Sequence, residues 1–435
     1  MTSKKQNRKK IVLLYHYFYP DTVASGRYFV QLAEDLAKKN YDVVMLTSNR
    51  IRMEPNALIN LKHENWNEIS IIRSHRPAWN QSKNIPRLLS SIVIMSKWLL
   101  EISKIKGVDS FVVGTNPELS QLMFPMIRML KRGAKIYYWC FDLFPEAILA
   151  DKKSISYSML SFLLKPVLNF CYGFCDGILD LGISMRRRLK RYPKVPSMQT
   201  ITPWALVEPK IDQAVSSAVH CNKLFGSADL KILYSGTLAK GHKFIPLVEL
   251  ARHFKSTGNS AKIAFACQGQ RKTELEAYIK PGDSNISIQS FLPEKELDAY
   301  LSTPDFIAIS IEEGWDGIIL PSKFFGAIAM GKPVLFVGSH ENEMAKWIKQ
   351  YQLGVCLSNL HEIPAVSKKL LEIKQDKATY RSMSERCISI YRQKFSRTAG
   401  IEKWDRLFQF GPEYLKEEDL YQAGEIPLPS LRSGE

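Results

Sequence analysis

The apolar and polar positions in the first half of the chain follow two alternating patterns. Short runs rich in β-branched and aromatic side chains predict buried strands at 11–17, 41–47, 110–114, 135–140, 178–182 and 201–204. Between these runs, apolar positions at helical spacing predict helices at 29–37, 88–105 and 156–174. This succession of strand and helix indicates βαβ units, whose strands form a parallel sheet.

The second half of the chain repeats the alternation after a polar segment at 214–226. The predicted strands lie at 231–234, 262–267, 286–288, 306–311 and 334–337, and the helices at 244–254, 274–279, 294–301, 341–350, 368–395 and 401–410. We therefore predict an α/β protein with two Rossmann-like domains that face each other across a cleft. The predicted boundaries are 1–210 for the N-terminal domain, 211–228 for a linker, 229–395 for the C-terminal domain, 396–424 for a terminal helical segment returning toward the N-terminal domain, and 425–435 for a disordered tail.

The stretch from Gly314 to Gly338 carries the first candidate chemistry. Ser322 follows a proline and precedes an apolar helical pattern, which predicts that it is the N-cap of a short helix. The start of a helix offers unpaired N–H groups, and here the Ser322 hydroxyl and the Lys323 ammonium lie at the same end. The pattern is typical of a phosphate site, and equally of an ordinary capped helix in an α/β domain.

A second anion-binding loop follows the strand predicted at 231–234. Small residues occur there together with two side chains that could donate hydrogen bonds to phosphate. The candidate residues of this loop are Gly236, Thr237, Lys240 and His242. Arg271 lies in the basic segment after the next strand. In the first half, Gly26 at a loop-to-helix junction allows a ligand to approach the backbone. The chain lacks Gly-x-Gly-x-x-Gly, so a nicotinamide or flavin dinucleotide is not indicated.

Two carboxylates follow the strand predicted at 135–140. Asp142 and Glu146 lie among aromatic residues beyond the end of this strand. Apolar surroundings raise the pKa of a carboxyl group and exclude water. A carboxyl group in such surroundings can act as a general acid or base, or can orient a hydroxyl group. The alternative is that Asp142 caps the following helix and Glu146 is solvated.

Composition narrows the choice of partners. The net charge of +17 calls for an anionic partner. The apolar segment 156–174 and the basic run 186–191 together are typical of a membrane-surface patch, and also of a core helix followed by a solvated basic helix. No apolar stretch is long enough to span a membrane and the start resembles no signal peptide, so we expect a cytoplasmic protein. Seven scattered cysteines indicate free thiols, and no metal site is indicated.

Four motifs, taken in order, resemble those of a known family. They are Tyr17-Phe18-Tyr19-Pro20, Asp142-Leu143-Phe144-Pro145-Glu146, Tyr234-Ser235-Gly236-Thr237-Leu238, and Pro321-Ser322-Lys323 with Ala329-Met330-Gly331-Lys332-Pro333-Val334. From about residue 11 to residue 410, the chain resembles the retaining family-four glycosyltransferases of the GT-B fold. Within that family it resembles the bacterial subgroup that builds surface polysaccharides such as O-antigen, capsule or colanic acid.

The resemblance implies a role for each motif. Gly236 and Lys240 would lie along the donor diphosphate, and Ser322 and Lys323 would bind its phosphates. Arg271 would follow the loop that closes over the donor. Asp142 and Glu146 would face the acceptor hydroxyl. The sugar would move with retention by front-side attack, and cations would stabilise the leaving diphosphate without a metal.

The chain departs from the wider family at the Glu-x7-Glu motif, whose second Glu holds the donor ribose. Ile318 and Gly326 occupy these two positions, so ribose binding must be arranged otherwise. The candidates are Glu312, Glu313 and Glu343.

The resemblance therefore predicts an enzyme that transfers a hexose or N-acetylhexosamine from a nucleotide sugar, for which UDP is the preferred nucleotide. The predicted acceptor is a lipid-linked saccharide or oligosaccharide at the inner membrane surface. Two alternatives stay open. One is an enzyme like UDP-N-acetylglucosamine 2-epimerase, and the other is a catalytically inactive nucleotide-sugar-binding subunit. Nucleic-acid binding is not indicated, because the aromatic and basic residues do not interleave as on a recognition surface.

Overall fold

A computed structural model describes residues 8–52, 54, 57–77, 79, 84–151, 155–206, 217–292 and 296–414. The predicted tail at 425–435 lies outside the described residues, as do 211–216 of the predicted linker and 415–424 of the terminal segment.

The first half forms an eight-stranded sheet. Its strands are β1 (Lys10–Leu14), β2 (Asp42–Ser48), β3 (His63–Trp66), β4 (Ile69–Ser74), β5 (Ser110–Gly114), β6 (Lys135–Trp139), β7 (Gly177–Asp180) and β8 (Met198–Thr200), in the order β3-β4-β2-β1-β5-β6-β7-β8. Its helices are α1 (Ala24–Lys38), α2 (Asn84–Lys104), α3 (Phe124–Leu130), α4 (Glu146–Asp151), α5 (Ile155–Tyr172) and α6 (Ile183–Leu189). All neighbouring strands are parallel except β3 and β4.

The second half begins with α7 (Ser217–Phe225) and forms a six-stranded parallel sheet. Its strands are β9 (Leu230–Thr237), β10 (Ala261–Gln268), β11 (Ile286–Gln289), β12 (Phe306–Ser310), β13 (Val334–Val337) and β14 (Gly354–Leu357), in the order β11-β10-β9-β12-β13-β14. Its further helices are α8 (Ile245–Ser256), α9 (Lys272–Tyr278), α10 (Leu297–Leu301), α11 (Lys323–Ala329), α12 (Glu343–Tyr351), α13 (Ile363–Gln375), α14 (Lys377–Ile390) and α15 (Arg397–Phe410). This strand order is that of a Rossmann fold.

The predicted α/β class with two parallel sheets is confirmed. Strands that are buried on both faces carry continuous apolar runs, which is why the pattern located most of them. Several local predictions were wrong or incomplete, and β14 and α3 were not predicted at all. The β3–β4 hairpin was missed, and the strand predicted at 201–204 lies earlier, at Met198–Thr200. The helix predicted at 368–395 is divided, because the Asp376 carboxylate accepts hydrogen bonds from the N–H groups of Ala378 and Thr379 and so begins α14.

The predicted linker and terminal segment each contain a helix. Leu224 and Phe225 of α7 are buried in an apolar cluster with strand residues of the second sheet. From α15, Trp404 and Phe408 are buried in the core of the first half. The guanidinium of Arg397 donates to the Asp35 carboxylate of α1, so the end of the described chain packs against its beginning.

Direct contacts join the two halves near one edge of each sheet. The Glu343 carboxylate accepts a hydrogen bond of 2.9 Å from the Ser184 N–H. Arg188 donates to the carbonyl oxygens of Gly314 and Asp316. The basic run at 186–191 is therefore not a uniform surface patch. Arg186 is also buried, where it pairs with Asp180.

The helices in the described ranges include none that is long and apolar enough to cross a membrane. All seven cysteines are free thiols, and five of them are buried.

Candidate functional site

A cavity of about 480 Å³ lies between the two halves, where strands of both sheets end. The first half contributes the start of α1 and the loop after β6, and the second half contributes the end of β9 and the segment leading into α11. Carboxyl ends of parallel strands are the usual place for a ligand in such sheets. The lining residues used below are Arg27, Tyr28, Asp142, Gly236, Thr237, His242, Phe291, Ser322 and Lys323.

Lys323 is the cation that the second half presents to this cavity. Its Nζ donates to the Tyr234 hydroxyl at 2.8 Å and to the Thr237 carbonyl at 3.0 Å, and it lies 4.0 Å from the centre of the Tyr234 ring. None of these partners is a carboxylate. Burial lowers the pKa of Lys323 from 10.5 to about 7. An anion in the cavity would restore the charged form, because an opposite charge nearby favours it.

Gly236 makes room for this lysine. Its backbone has φ +115°, and a Cβ there would lie 2.8 Å from the Cε of Lys323. A side chain at position 236 would therefore be strained and would also displace the ammonium group.

We expect Gly236→Ala to lower the free energy of unfolding by about 1–3 kcal/mol because of backbone strain, and to weaken nucleotide binding at least roughly tenfold because Lys323 moves. Gly258→Ala is the matched control. Gly258 also has positive φ, at +73°, but nothing lies within 4 Å of the position that its Cβ would occupy. Calorimetric titration with UDP and thermal melts would separate the two effects. Equal UDP affinities in both variants would contradict the role given to Gly236.

His242 is held neutral. One ring nitrogen, Nδ1, lies 2.7 Å from the Ser310 carbonyl oxygen, which can only accept, so Nδ1 carries the proton. Burial, and next the charge of Lys323, lower the pKa of His242 to about 3. Its Nε2 is then an acceptor, which suits a sugar or ribose hydroxyl better than a phosphate.

Ser322 lines the cavity immediately before α11. The prediction that it precedes this helix was right, but its side chain makes no cap hydrogen bond and its backbone is already helical, with φ −62° and ψ −17°. Tyr28 lines the cavity from the opposite half, and its hydroxyl donates to the Trp204 carbonyl oxygen at 3.1 Å. Ser322 and Tyr28 therefore offer one hydroxyl from each wall of the cavity.

Asp142 faces the cavity from the first half. Burial, and next the charge of Glu118, raise its pKa from 3.8 to about 6, while Arg52 acts in the opposite direction. Within the described chain no side chain donates a hydrogen bond to its carboxylate. Glu146 does not line the cavity. One of its oxygens accepts from the Tyr192 hydroxyl at 2.8 Å, and the other is buried without a partner among the described residues.

The remaining predicted site residues do not line the cavity. Lys240 is exposed beyond the end of β9. Arg271 donates to the His242 carbonyl oxygen and pairs with the Glu312 carboxylate. Arg271 therefore stabilises the loop that follows β9 without lining the cavity. Glu343 makes the contact with Ser184 described above. Gly26 is buried, and a Cβ there would lie 2.9 Å from Tyr17 Cβ, so packing already requires glycine.

Several residues of the cavity wall were missed from the sequence, among them Arg27, Tyr28 and Phe291. Arg27 and Tyr28 lie near the start of α1, and Phe291 follows β11. The position of Arg27 directly after Gly26, at a loop-to-helix junction of a βα unit, was an available signal. Phe291 had none, because a single aromatic after a short strand is commonplace.

Known proteins resemble this chain in sequence and in fold. No protein family model matches. Over 295 residues, the chain is 24% identical to a probable glycosyltransferase, WbjE of Pseudomonas aeruginosa, with 64% of this chain and 70% of that protein covered.

The solved structures that resemble nearly the whole chain include the following two. One is a sucrose-phosphate synthase from Thermosynechococcus elongatus, with TM-score 0.64, 13% identity, and coverage of 92% of this chain and 98% of that one. The other is WaaG, a glycosyltransferase involved in lipopolysaccharide biosynthesis, with TM-score 0.62, 14% identity, and coverage of 92% and 100%. The fold is thus GT-B, as the sequence predicted.

Proposed function

We propose that this chain is a glycosyltransferase that moves a sugar from a nucleotide sugar to an acceptor hydroxyl. One observation carries the proposal. Lys323, a cation without a carboxylate partner in its immediate hydrogen bonds, faces Asp142 of the other half across a single cavity. The similarity to a probable glycosyltransferase and the GT-B fold support the same activity.

The second half is proposed to hold the donor. The diphosphate would lie against Lys323 and the end of β9 at Gly236 and Thr237, where the cation stabilises the charge that develops on the leaving group. Neutral His242 would accept a hydrogen bond from a sugar or ribose hydroxyl. Phe291, which is 43% exposed, offers an aromatic surface for the base. UDP is the proposed nucleotide, and Lys240 and Arg271 would support the loop around it.

The first half is proposed to hold the acceptor. Asp142 would orient the acceptor hydroxyl, and transfer with retention would follow from front-side attack assisted by a donor phosphate oxygen. Positioning two reactants in one cavity supplies much of such a rate enhancement. A lipid-linked saccharide of surface polysaccharide synthesis is the proposed acceptor, which agrees with the involvement of WaaG in lipopolysaccharide biosynthesis.

A screen of nucleotide sugars by thermal shift tests the donor proposal without the acceptor. We expect one UDP-sugar to raise the melting temperature, and a membrane extract to be required for sugar transfer. Conversion of the sugar nucleotide to its 2-epimer without acceptor would indicate the epimerase alternative instead. Binding without transfer to any extract would indicate the inactive subunit. Absence of binding by every nucleotide and nucleotide sugar would reject the proposal.

Peripheral attachment to the inner membrane surface is part of the same proposal. Large apolar side chains of α5 are exposed at helical spacing, and neighbouring α3 adds further ones: Met126, Met129, Leu130, Met159, Phe162, Leu163, Val167 and Phe170. Cations lie beside them, since Lys165 is exposed on α5 and the Lys194 ammonium lies 5.8 Å from the Phe170 ring. Exposed apolar side chains flanked by cations suit an anionic lipid surface.

We expect the double variant Phe162→Ser with Leu163→Ser to reduce sedimentation with anionic lipid vesicles at least roughly tenfold, because each side chain loses apolar burial in the lipid. The matched control is Leu360→Ser with Phe410→Ser. These side chains are 51% and 63% exposed, but they lie on other elements. Equal vesicle binding by both double variants would place the attachment elsewhere or remove it from the proposal.

A further inference from the structure

A second group of cations lies at the carboxyl edge of the first sheet, outside the cavity described above. Arg52 follows β2 and Arg76 follows β4, and their guanidinium carbons lie 5.6 and 5.9 Å from the centre of the Tyr17 ring. Tyr17 itself follows β1. Strands that are neighbours in the sheet thus bring two arginines to one aromatic ring at the edge where ligands bind.

Arg76 is buried with few hydrogen-bond partners among the described residues. It is 5% exposed, and its guanidinium donates one long hydrogen bond within the described chain, from Nε to the Ser90 hydroxyl at 3.4 Å. No carboxylate of the described ranges pairs with Arg76 or with the Arg52 side chain. A buried cation is costly to leave unpaired, so an anion supplied from outside would relieve the cost.

Three carboxylates of this edge are already engaged, and Asp142, on which Arg52 acts, forms no ion pair with either arginine in the described chain. Glu64 pairs with Arg73, and Glu118 pairs with Arg87. Asp21 accepts hydrogen bonds from the backbone N–H groups of Val23 and Arg52. The Asp21 carboxylate thus lies beside the Arg52 backbone, yet it forms no ion pair with the guanidinium group of Arg52 or Arg76 in the described chain.

His16 adds a second unpartnered group at the same place. Its ring stacks on Tyr17 with centroids 5.1 Å apart, and its Nε2 is buried with no hydrogen-bond partner in the part of the chain that the structure describes. Arg52 and Arg76 lower the pKa of His16, after burial, which is the larger cause. Arg52 also acts on Asp142, so the cluster and the proposed acceptor carboxylate share one electrostatic environment.

We propose that Arg52 and Arg76, both of which lie close to the Tyr17 ring, bind a phosphate group carried by the acceptor. The inference rests on the proposed function, which it deepens by assigning the acceptor to the phosphorylated substrates. Planar guanidinium groups bind phosphate oxygens in pairs, and two arginines suit a phosphomonoester or a diphosphate. Arg52 is exposed, so an anion can enter from its side.

Calorimetric titrations in the presence of saturating UDP test this subsite. The probes are inorganic pyrophosphate, farnesyl diphosphate in detergent, and glucose 6-phosphate. We expect the unmodified protein to bind at least one probe, and Arg52→Ala and Arg76→Gln each to weaken it roughly tenfold or more. Preference for the prenyl diphosphate would indicate a lipid-linked source, and preference for glucose 6-phosphate a free sugar phosphate. Both would support the shared chemistry.

The control variant is Arg381→Ala, which removes an exposed arginine of α14 and should leave probe binding unchanged. Arg52→Ala carries the test if Arg76→Gln does not fold. Repeating the titration with the Lys323→Met variant distinguishes this subsite from the donor site. Probe binding through the two arginines should persist in that variant even if it does not bind UDP. Failure of the unmodified protein to bind any probe, or unchanged affinity in both arginine variants, would overturn the inference.

Discussion

Replacing Lys323 by methionine is expected to lower kcat/KM for sugar transfer by a factor of about 10²–10³, since a preorganised charge on a leaving group contributes on that scale. Methionine keeps an unbranched apolar chain of similar length in the cradle beside Gly236, so the variant removes charge with little change in packing. UDP affinity should fall in parallel. Steady-state kinetics and calorimetric titration with UDP measure the two quantities.

The same substitution should stabilise the ligand-free protein. The folded pKa of Lys323 is about 7 and its ordinary value is 10.5, so the unfolded chain binds more protons between these values and stability rises with pH across this window. The loss of folding stability caused by Lys323 is largest below pH 7, because the buried lysine is then charged in the folded protein. We expect Lys323→Met to gain about 1 kcal/mol or more at pH 6–7, and the gain to disappear near pH 10.

Lys349→Met is the control, because Lys349 is exposed on α12 away from the cavity. The residues around Lys323 that could also titrate are Tyr234, His242 and Cys267. Thermal melts from pH 6 to 10 on both variants isolate the contribution of Lys323. Transfer activity and UDP affinity that match those of the unmodified protein would remove Lys323 from the proposed mechanism.

The second large effect is expected for Asp142→Asn, which should lower kcat for transfer about 100-fold or more while UDP affinity changes less than about twofold. Asparagine has nearly the same shape but cannot accept a proton or carry charge. We expect kcat to fall without a matching loss of UDP affinity, because Asp142 lies in the first half, across the cavity from Lys323. Kinetics with acceptor and calorimetry with UDP give the two values.

The pKa of Asp142 sets the pH dependence of this step. If the ionised carboxylate is needed, transfer should decline below pH 6, since its folded pKa is about 6. The folded state binds more protons than the unfolded state between 3.8 and 6, so stability falls as pH rises through this window. Asp142→Asn should therefore melt at a higher temperature above pH 6. Glu118 and Arg52 are the charged groups that act on Asp142, and they remain in the variant.

Glu146→Gln provides the comparison for Asp142→Asn. Glu146 bonds Tyr192 and does not line the cavity, so we expect a smaller loss of transfer. An equal loss in both variants would support the role that the sequence predicted for Glu146. Full activity of Asp142→Asn would contradict the acceptor role assigned to Asp142.

The sequence located most elements because parallel strands buried on both faces leave continuous apolar runs, as at 110–114 and 334–337. It also placed Asp142 beyond the end of a strand and Lys323 at the start of a helix, but Gly236, predicted in a loop, lies inside β9. Elements without such runs were missed, and the β3–β4 hairpin is the main example. The boundary between α13 and α14 depends on the single side chain of Asp376. The spacing of apolar residues does not predict that boundary.

By itself, the sequence determined the two-sheet α/β architecture and the loops that carry the candidate chemistry, because hydrophobic period and turn residues act locally along the chain. Only the tertiary structure decided which loops meet. It placed Lys323 opposite Asp142, turned Glu343 and Arg188 into contacts between the halves, and brought Arg52 and Arg76 to one ring. These outcomes depend on sheet order and on the packing of the two halves, which bring together residues that are far apart in the chain.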